Sequence, residues 1–185
     1  MSGGHGHVDH HSNKGIAMLI SVLALVLALS ETLGKSAQTT ALSANIEASN
    51  LWSFFQAKTI RQTVMRTAAE EAQAEHGDAA PEALKKQIAK WKDTADRYQS
   101  EPDSGEGRKE LMARAKKAEE KRDRSLAAYH HFEVGSASVQ IAIVLASASI
   151  ITAMPLLLWI AGGLGCVGVV FCVIGFWFPT AVHLF

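Results

Sequence analysis

Residues 135–178 read GSASVQIAIVLASASIITAMPLLLWIAGGLGCVGVVFCVIGFWF and contain no Asp, Glu, Lys, Arg or His. These 44 residues are about twice the roughly 20 that one helix needs to cross a bilayer. Pro155, near the middle, leaves two possibilities, one kinked helix or a tight hairpin, because proline disrupts a helix interior. A single helix would be about 66 Å long, well beyond the bilayer thickness. The stretch therefore predicts a hairpin of two transmembrane helices, residues 134–154 and 155–178, with Pro155 in the first turn of the second.

A second apolar stretch lies near the start, at residues 15–33, with Glu31 as its single charge. Its 19 residues are about enough for one short transmembrane helix. The alternative is a signal peptide cleaved near Ala28-Leu29-Ser30, but only Lys14 supplies the basic flank that such peptides carry. We therefore predict three transmembrane helices, and their cores hold no ionisable residue that would indicate a proton relay.

Small residues recur in both helices of the predicted hairpin at the spacing of one helix face. Such seams allow close helix approach in membranes. Either the hairpin packs on itself or one seam contacts other subunits. The cysteines lie on different faces of the last helix and are expected to be unpaired packing residues. The seams are Ala142, Ala146, Ser149 and Ala153 in the first helix and Ala161, Gly165, Gly168, Cys172 and Gly175 in the second.

The insert between the apolar stretches, residues 34–133, contains 17 basic and 16 acidic residues. This balance argues against a nucleic-acid surface, which would be strongly basic. Turn-forming residues near Gly77 and at 101–107 divide the insert into three predicted helices: A at 36–75, B at 81–100 and C at 108–133.

Helices B and C carry stripes spaced like those of a coiled coil. Because B and C together are about as long as A, we expect A to extend from the membrane and B and C to return in series. A shorter three-helix bundle is the alternative. The predicted fold class is an all-α membrane protein with three transmembrane helices and a coiled-coil-like helical stalk between the first and second. The stripe residues are Leu84, Ile88, Trp91, Ala95 and Tyr98 in B, and Leu111, Ala115, Ala118, Arg122, Ser125, Tyr129 and Phe132 in C.

Helix A contains NIEASNLWSFFQAKTIRQT at residues 45–63, which is rich in aromatic and amide side chains. We interpret the aromatic residues either as a broad core contact or as an intersubunit contact, where aromatics and arginine are enriched. Together with the His-rich start, the first apolar stretch and the closing hairpin, this string resembles the bacterial membrane-protein family catalogued as domain of unknown function 4337. The resemblance implies a bacterial membrane protein and assigns no catalytic residue.

Four histidines, His5, His7, His10 and His11, lie in the predicted disordered tail, residues 1–14. Imidazoles at short spacing bind divalent transition metals, so these four are the candidate metal ligands. The alternative is a polar tail with incidental metal affinity. His130 and His131 are predicted at the membrane edge as interfacial polar residues or as a pH sensor.

No motif of an enzyme is present, and no cofactor is expected. We predict a non-enzymatic structural or scaffolding protein that contacts the lipid bilayer and forms a homo-oligomer. The alternative is a pore or transport accessory linked to metal through the histidines. Because Lys and Arg concentrate beside the insert ends of the spans, the positive-inside rule favours a cytoplasmic insert and C-terminal tail, 179–185. With the bacterial source that the resemblance implies, the expected location is the bacterial inner membrane.

Overall fold

The structure is a computed structural model that describes residues 10–182, excluding the side chains of residues 10–13 and 78. Four helices occupy most of this range: α1 (His10–His76), α2 (Glu82–Gln99), α3 (Arg108–Thr152) and α4 (Pro155–Trp177), with a 3-10 turn at Gly77–Ala79. The described residues contain no strand. The predicted all-α class is therefore confirmed. Helices α1, α3 and α4 each contain a segment long and apolar enough to cross a membrane.

The predicted hairpin break is confirmed by the end of α3 at Thr152 and the start of α4 at Pro155. Between them Ala153 adopts a φ of 54°, in the left-handed region, and Met154 is extended. The Ser149 hydroxyl donates a hydrogen bond of 3.1 Å to the Met154 carbonyl. The break therefore combines a proline start, one left-handed residue and a side-chain clamp.

The chain forms two compact units, and each is described by itself. The apolar unit contains the described residues up to Ala41 and those from Asp123 onward. Its core combines three alanines with three larger aliphatic side chains, and further aliphatic residues pack around them. The core residues are Ile16, Leu23, Val139, Ala142, Ala146 and Ala161.

Glycines bring the helices of the apolar unit together. A Cβ added to Gly168 would lie 2.5 Å from Val139 Cγ2 and 2.9 Å from the Gly135 carbonyl oxygen. A Cβ on Gly165 would lie 2.8 Å from a methyl carbon of Leu23. At Gly168 the seam predicted on the last helix is thus packed against α3, as expected if the hairpin packs on itself, whereas at Gly165 it is packed against α1.

The charged unit contains residues 42–122. Its core is formed by Ala48, Leu51, Leu111, Ala115 and Ala118, with Trp52, Phe54 and Phe55 packed against it. Along α1 in this unit, the hydrogen bonds reach α3 from Asn45 to Thr59 and α2 from Gln62 to Gln73. Helices α2 and α3 thus lie one after the other along this part of α1, as in the predicted serial arrangement.

The stripe predicted for helix B is the buried side of α2, where all five of its residues are buried or half-buried. Helix α1 follows a stricter pattern than its sequence indicated. Buried or half-buried positions recur at alternating steps of four and three residues from Ile16 to Ala72. In the charged unit these positions are Ala44, Ala48, Leu51, Phe55, Lys58, Gln62, Met65, Ala69 and Ala72.

Candidate functional sites in the two units

The predicted metal ligands cannot be placed by the structure. His5 and His7 lie outside the described residues, and so do the side chains of His10 and His11. Within the part of the chain that is described, no group of three or more His, Cys, Asp or Glu side chains could hold a metal ion. Metal binding by the four histidines, and the metal-linked transport role, stay predictions.

Lys58 is the most buried basic residue described in the charged unit, with 6% of its surface exposed. Its Nζ lies 5.5 Å from the ring centre of Phe54 and 5.1 Å from that of Tyr98. The carboxylates of Glu106 and Glu101 lie 3.8 and 4.0 Å from the same nitrogen. Two aromatic faces and two carboxylates therefore surround this ammonium group, a setting that stabilises a buried cation.

Arg108, at the start of α3, forms the second polar centre of this unit. Its Nε donates to Thr59 Oγ1 at 2.8 Å, and its Nη1 donates to Gln62 and to Gln99 Oε1 at 3.0 Å. The guanidinium lies 5.0 Å from the ring centre of Phe55. Gln62, only 4% exposed, donates in turn to the Ala95 carbonyl. This network joins α1, α2 and α3.

The aromatic string of α1 therefore works largely inside the chain. Trp52 Nε1 donates to Glu119 Oε1 at 2.9 Å, and Trp52 also contacts Phe55 edge to face. These contacts support the interpretation as a core contact. Reading the spacing of Ala44, Ala48 and Leu51 forward would have indicated the buried positions of Lys58 and Gln62.

His131 is the largest of the polar side chains buried in the described part of the apolar unit, with 1% of its surface exposed. Its Nε2 lies 3.2 Å from the Pro179 carbonyl oxygen, and its ring stacks on Phe171. Because a carbonyl only accepts, Nε2 carries the hydrogen. Nδ1 has no hydrogen-bond partner among the described residues. Sequence analysis placed both histidines at an interface, and it missed this burial because Pro179 is distant in sequence.

A small polar cluster also joins α1 to α3 and α4. Ser30 Oγ donates to the Phe132 carbonyl at 3.0 Å and accepts from Cys172 Sγ at 3.3 Å. Both Cys166 and Cys172 are free, as expected. On the neighbouring side of α1, Gln140 donates to Glu31 at 3.0 Å. These bonds give the buried or edge-located polar groups partners within the chain.

Residues 12–178 match a family model described as Domain of unknown function (DUF4337). The chain belongs to this family. The match confirms the resemblance drawn from the string at 45–63 and covers nearly all of the four helices. Neither a curated protein nor a solved structure matches the chain.

In this DUF4337 chain, the geometry indicates that the buried polar residues hold the helices of each unit together. Lys58, Arg108 and Gln62 each contact side chains or backbone atoms of other segments of the same unit. Ser30 and His131 do the same in the apolar unit. Such networks hold buried polar groups in one arrangement, because each lost partner leaves an unsatisfied group.

The turn between α2 and α3 predicts a pH dependence for the charged unit. The Ser100 hydroxyl donates to Glu110 at 2.7 Å and is the main reason that the pKa of Glu110 lies below its ordinary value of 4.5. The stability that the ionised Glu110 carboxylate contributes to the charged unit is therefore complete above pH 4.5 and is lost as the pH falls through the lowered pKa. The protection of the backbone amides at residues 100–110, measured as the exchange rate relative to the intrinsic rate at each pH, should fall below pH 4.5. Glu110→Gln should weaken this acid dependence, and an unchanged profile would contradict the assignment.

Proposed function

We propose that this chain is an integral protein of the bacterial inner membrane with a structural or scaffolding role, and that it self-associates. The membrane placement rests on the apolar unit exposing large apolar side chains on its outside and burying small ones where its helices meet. Ile151 is 86% exposed and Trp159 81% exposed, while Ala142, Ala146 and Ala161 are fully buried. Soluble monomers rarely expose large contiguous apolar surfaces. Lipid tails, by contrast, accept large apolar side chains outside and favour small residues where helices meet.

The same outward pattern is found on all three helices of the unit. In each helix, large aliphatic or aromatic side chains are exposed. Small residues face the neighbouring helices in α3 and α4, whereas α1 buries Ile16 and Leu23. The exposed residues include Met18, Val22, Leu25 and Leu29 in α1, Ile141 and Val144 in α3, and Val170, Phe176 and Trp177 in α4.

Charge distribution supports an orientation with the helical insert, residues 34–133, in the cytoplasm. Basic residues near the insert ends of the apolar segments include Lys35, Lys121 and Arg124, whereas the opposite side offers Lys14. Lys and Arg within short distances of span ends favour the cytoplasmic side.

Self-association is supported by an exposed apolar face on α1 in the charged unit. Ile46 and Ile60 are 53% and 65% exposed, and Leu42 and Val64 are also exposed. Leu42 and Ile60 are 18 residues apart, as are Ile46 and Val64, so each pair shares one direction around the helix. The group formed by Leu42 and Ile46 therefore lies about 27 Å along the helix axis from the group formed by Ile60 and Val64. A second copy related by a two-fold axis would cover the same face on both chains.

The test of the proposal is the mass of the assembly in native-like lipid. We expect the wild-type protein to remain with carbonate-washed membranes and to exceed the monomer mass in lipid nanodiscs. Ile60→Glu should weaken association at least about tenfold, because an apolar contact is replaced by a solvated charge. Ala89→Glu, an exposed position on α2, is the matched control and should associate normally.

Each half of the proposal can fail separately. Release of the wild-type protein into the soluble fraction would contradict the membrane placement. A strict monomer in lipid, or equal association of the Ile60→Glu and wild-type proteins, would contradict self-association through this face.

A further inference from the structure

A groove lies between α1 and α4 on the outside of the apolar unit, with a volume of about 240 Å³. Its lining is almost entirely apolar and includes Leu29 and Leu33 from α1 and Val169, Val173 and Trp177 from α4. Leu29, Val173 and Trp177 all keep more than half of their surface exposed. The groove is therefore an open apolar surface depression along two helices rather than a closed cavity.

This groove adjoins a pocket of similar size, about 240 Å³, which we name the polar pocket for its charged and hydroxyl side chains, although apolar residues form most of its lining. Leu33 and Phe176 line both, so the apolar groove and the pocket are direct neighbours. The pocket also contains Arg124 and the hydroxyls of Ser36, Thr40 and Ser125, and no carboxylate lines it.

The polar groups of this pocket are available to a ligand. Arg124 is exposed, and its guanidinium forms no ion pair or hydrogen bond with the residues described. The Thr40 hydroxyl is already bonded to the Ser36 carbonyl at 2.9 Å, whereas the hydroxyls of Ser36 and Ser125 make no such bond in the described part. One guanidinium and two hydroxyls that have no partner among the described residues suit a phosphate group.

A pocket on the other side of α1 has the opposite electrostatic character. Its volume is about 280 Å³, and Glu31, Glu133 and Lys35 line it. Tyr129 donates to Glu133 there at 3.3 Å. Two carboxylates against one ammonium group disfavour an anion at this place. The two pockets on opposite sides of α1 therefore differ in charge: the pocket with Arg124 favours an anion, and the pocket with Glu31 and Glu133 does not.

We propose that the groove and its polar pocket together bind an anionic glycerophospholipid. The phosphate contacts Arg124 and the two serine hydroxyls, and one acyl chain lies along Leu29, Val173 and Trp177. The adjoining apolar groove favours a lipid over a free phosphate, because a soluble anion would leave the groove uncovered. Basic pockets between transmembrane helices recognise anionic headgroups by the same chemistry. The inference rests on the membrane placement proposed above.

The experiment is native mass spectrometry of the full chain in detergent, titrated with phosphatidylglycerol or with phosphatidylcholine of identical acyl chains. We expect the wild-type protein to retain the anionic lipid preferentially. Arg124→Gln should weaken this binding about tenfold, in line with the loss of one charge-assisted contact, and Arg124→Lys should restore part of it. Lys35→Gln, which removes one positive charge from the pocket on the other side of α1, should bind like the wild type.

Two further arms identify the source of the phosphate chemistry and the role of the groove. Val173→Trp should reduce lipid retention with the charge unchanged, because the larger ring occupies the groove. Glycerol phosphate at the same concentration should not displace the lipid, and displacement would overturn the lipid assignment in favour of a soluble anion. Equal loss in the Lys35→Gln and Arg124→Gln proteins, or no preference in the wild type, would also overturn it.

Membrane fractionation and circular dichroism of every variant separate this inference from the membrane placement. A helical protein that stays with membranes but shows no lipid preference refutes the lipid site alone. A wild-type protein in the soluble fraction refutes the membrane placement, and the lipid site with it.

Discussion

Gly168→Ala is expected to destabilise the apolar unit by about 2 kcal/mol, within the usual range for overpacking. The added methyl would lie 2.9 Å from the Gly135 carbonyl oxygen and 2.5 Å from Val139 Cγ2. The first of these atoms belongs to the backbone of α3, so rotation of a side chain cannot relieve the contact. Helices α3 and α4 would have to separate, which would weaken the packing around the neighbouring small residues. Unfolding of the purified protein in mixed micelles with increasing sodium dodecyl sulfate, followed by circular dichroism, measures the effect.

Gly163→Ala is the matched control for this substitution. Gly163 lies in the same helix, and a Cβ there would meet nothing within 4 Å. Because alanine is a better helix former than glycine, stability should remain the same or rise by up to about 1 kcal/mol. Equal stability of the Gly168→Ala and wild-type proteins would contradict the close approach of α3 and α4.

Arg108→Met is expected to destabilise the charged unit by about 2 to 3 kcal/mol, since it leaves several polar groups without their donor. Thr59, Gln62 and Gln99 all accept hydrogen bonds from this guanidinium. Gln62 is almost completely buried, so water cannot readily replace the lost donor. Phe55 also loses the cation above its ring. Amide hydrogen exchange in α2 reports the effect, because Gln62 bonds to Ala95 and Gln99 of that helix.

Arg114→Met tests whether the loss of any α3 arginine has the same result. Arg114 is exposed and makes one long hydrogen bond, 3.4 Å, to the Gly105 carbonyl. A substitution of this kind usually changes stability by less than about 0.5 kcal/mol. Equal acceleration of exchange in the two variants would mean that the buried network does not stabilise α2.

The hairpin and the stripe of α2 were predictable because their signals are local. Pro155 and the length of the apolar stretch require a break, and α3 does end at Thr152. In α2, Ile88 and Ala95 alternate with charged residues at helical spacing, and they are buried. Such patterns depend on residues within a few turns of each other.

The partners of the buried polar groups were not predictable in the same way. His130 and His131 are adjacent in sequence, yet His131 is buried beside the Pro179 carbonyl while His130 lies 3.5 Å from the Glu133 carboxylate. Lys58 occupies a core position of α1 only because Phe54, Tyr98 and two carboxylates surround it. Polarity alone would have placed these side chains at the surface.

The amino-acid sequence by itself determined the apolar segments, the helical class and the position of the hairpin. These features follow from chain-local polarity, helix length and the geometry of proline. The tertiary structure decided which helix faces pack together. It packed the glycine seam against other helices of the same chain and placed the polar pocket beside the apolar groove. The reason is physical: the stability of a buried polar or small residue depends on partners distant in sequence, and only folding brings those partners together.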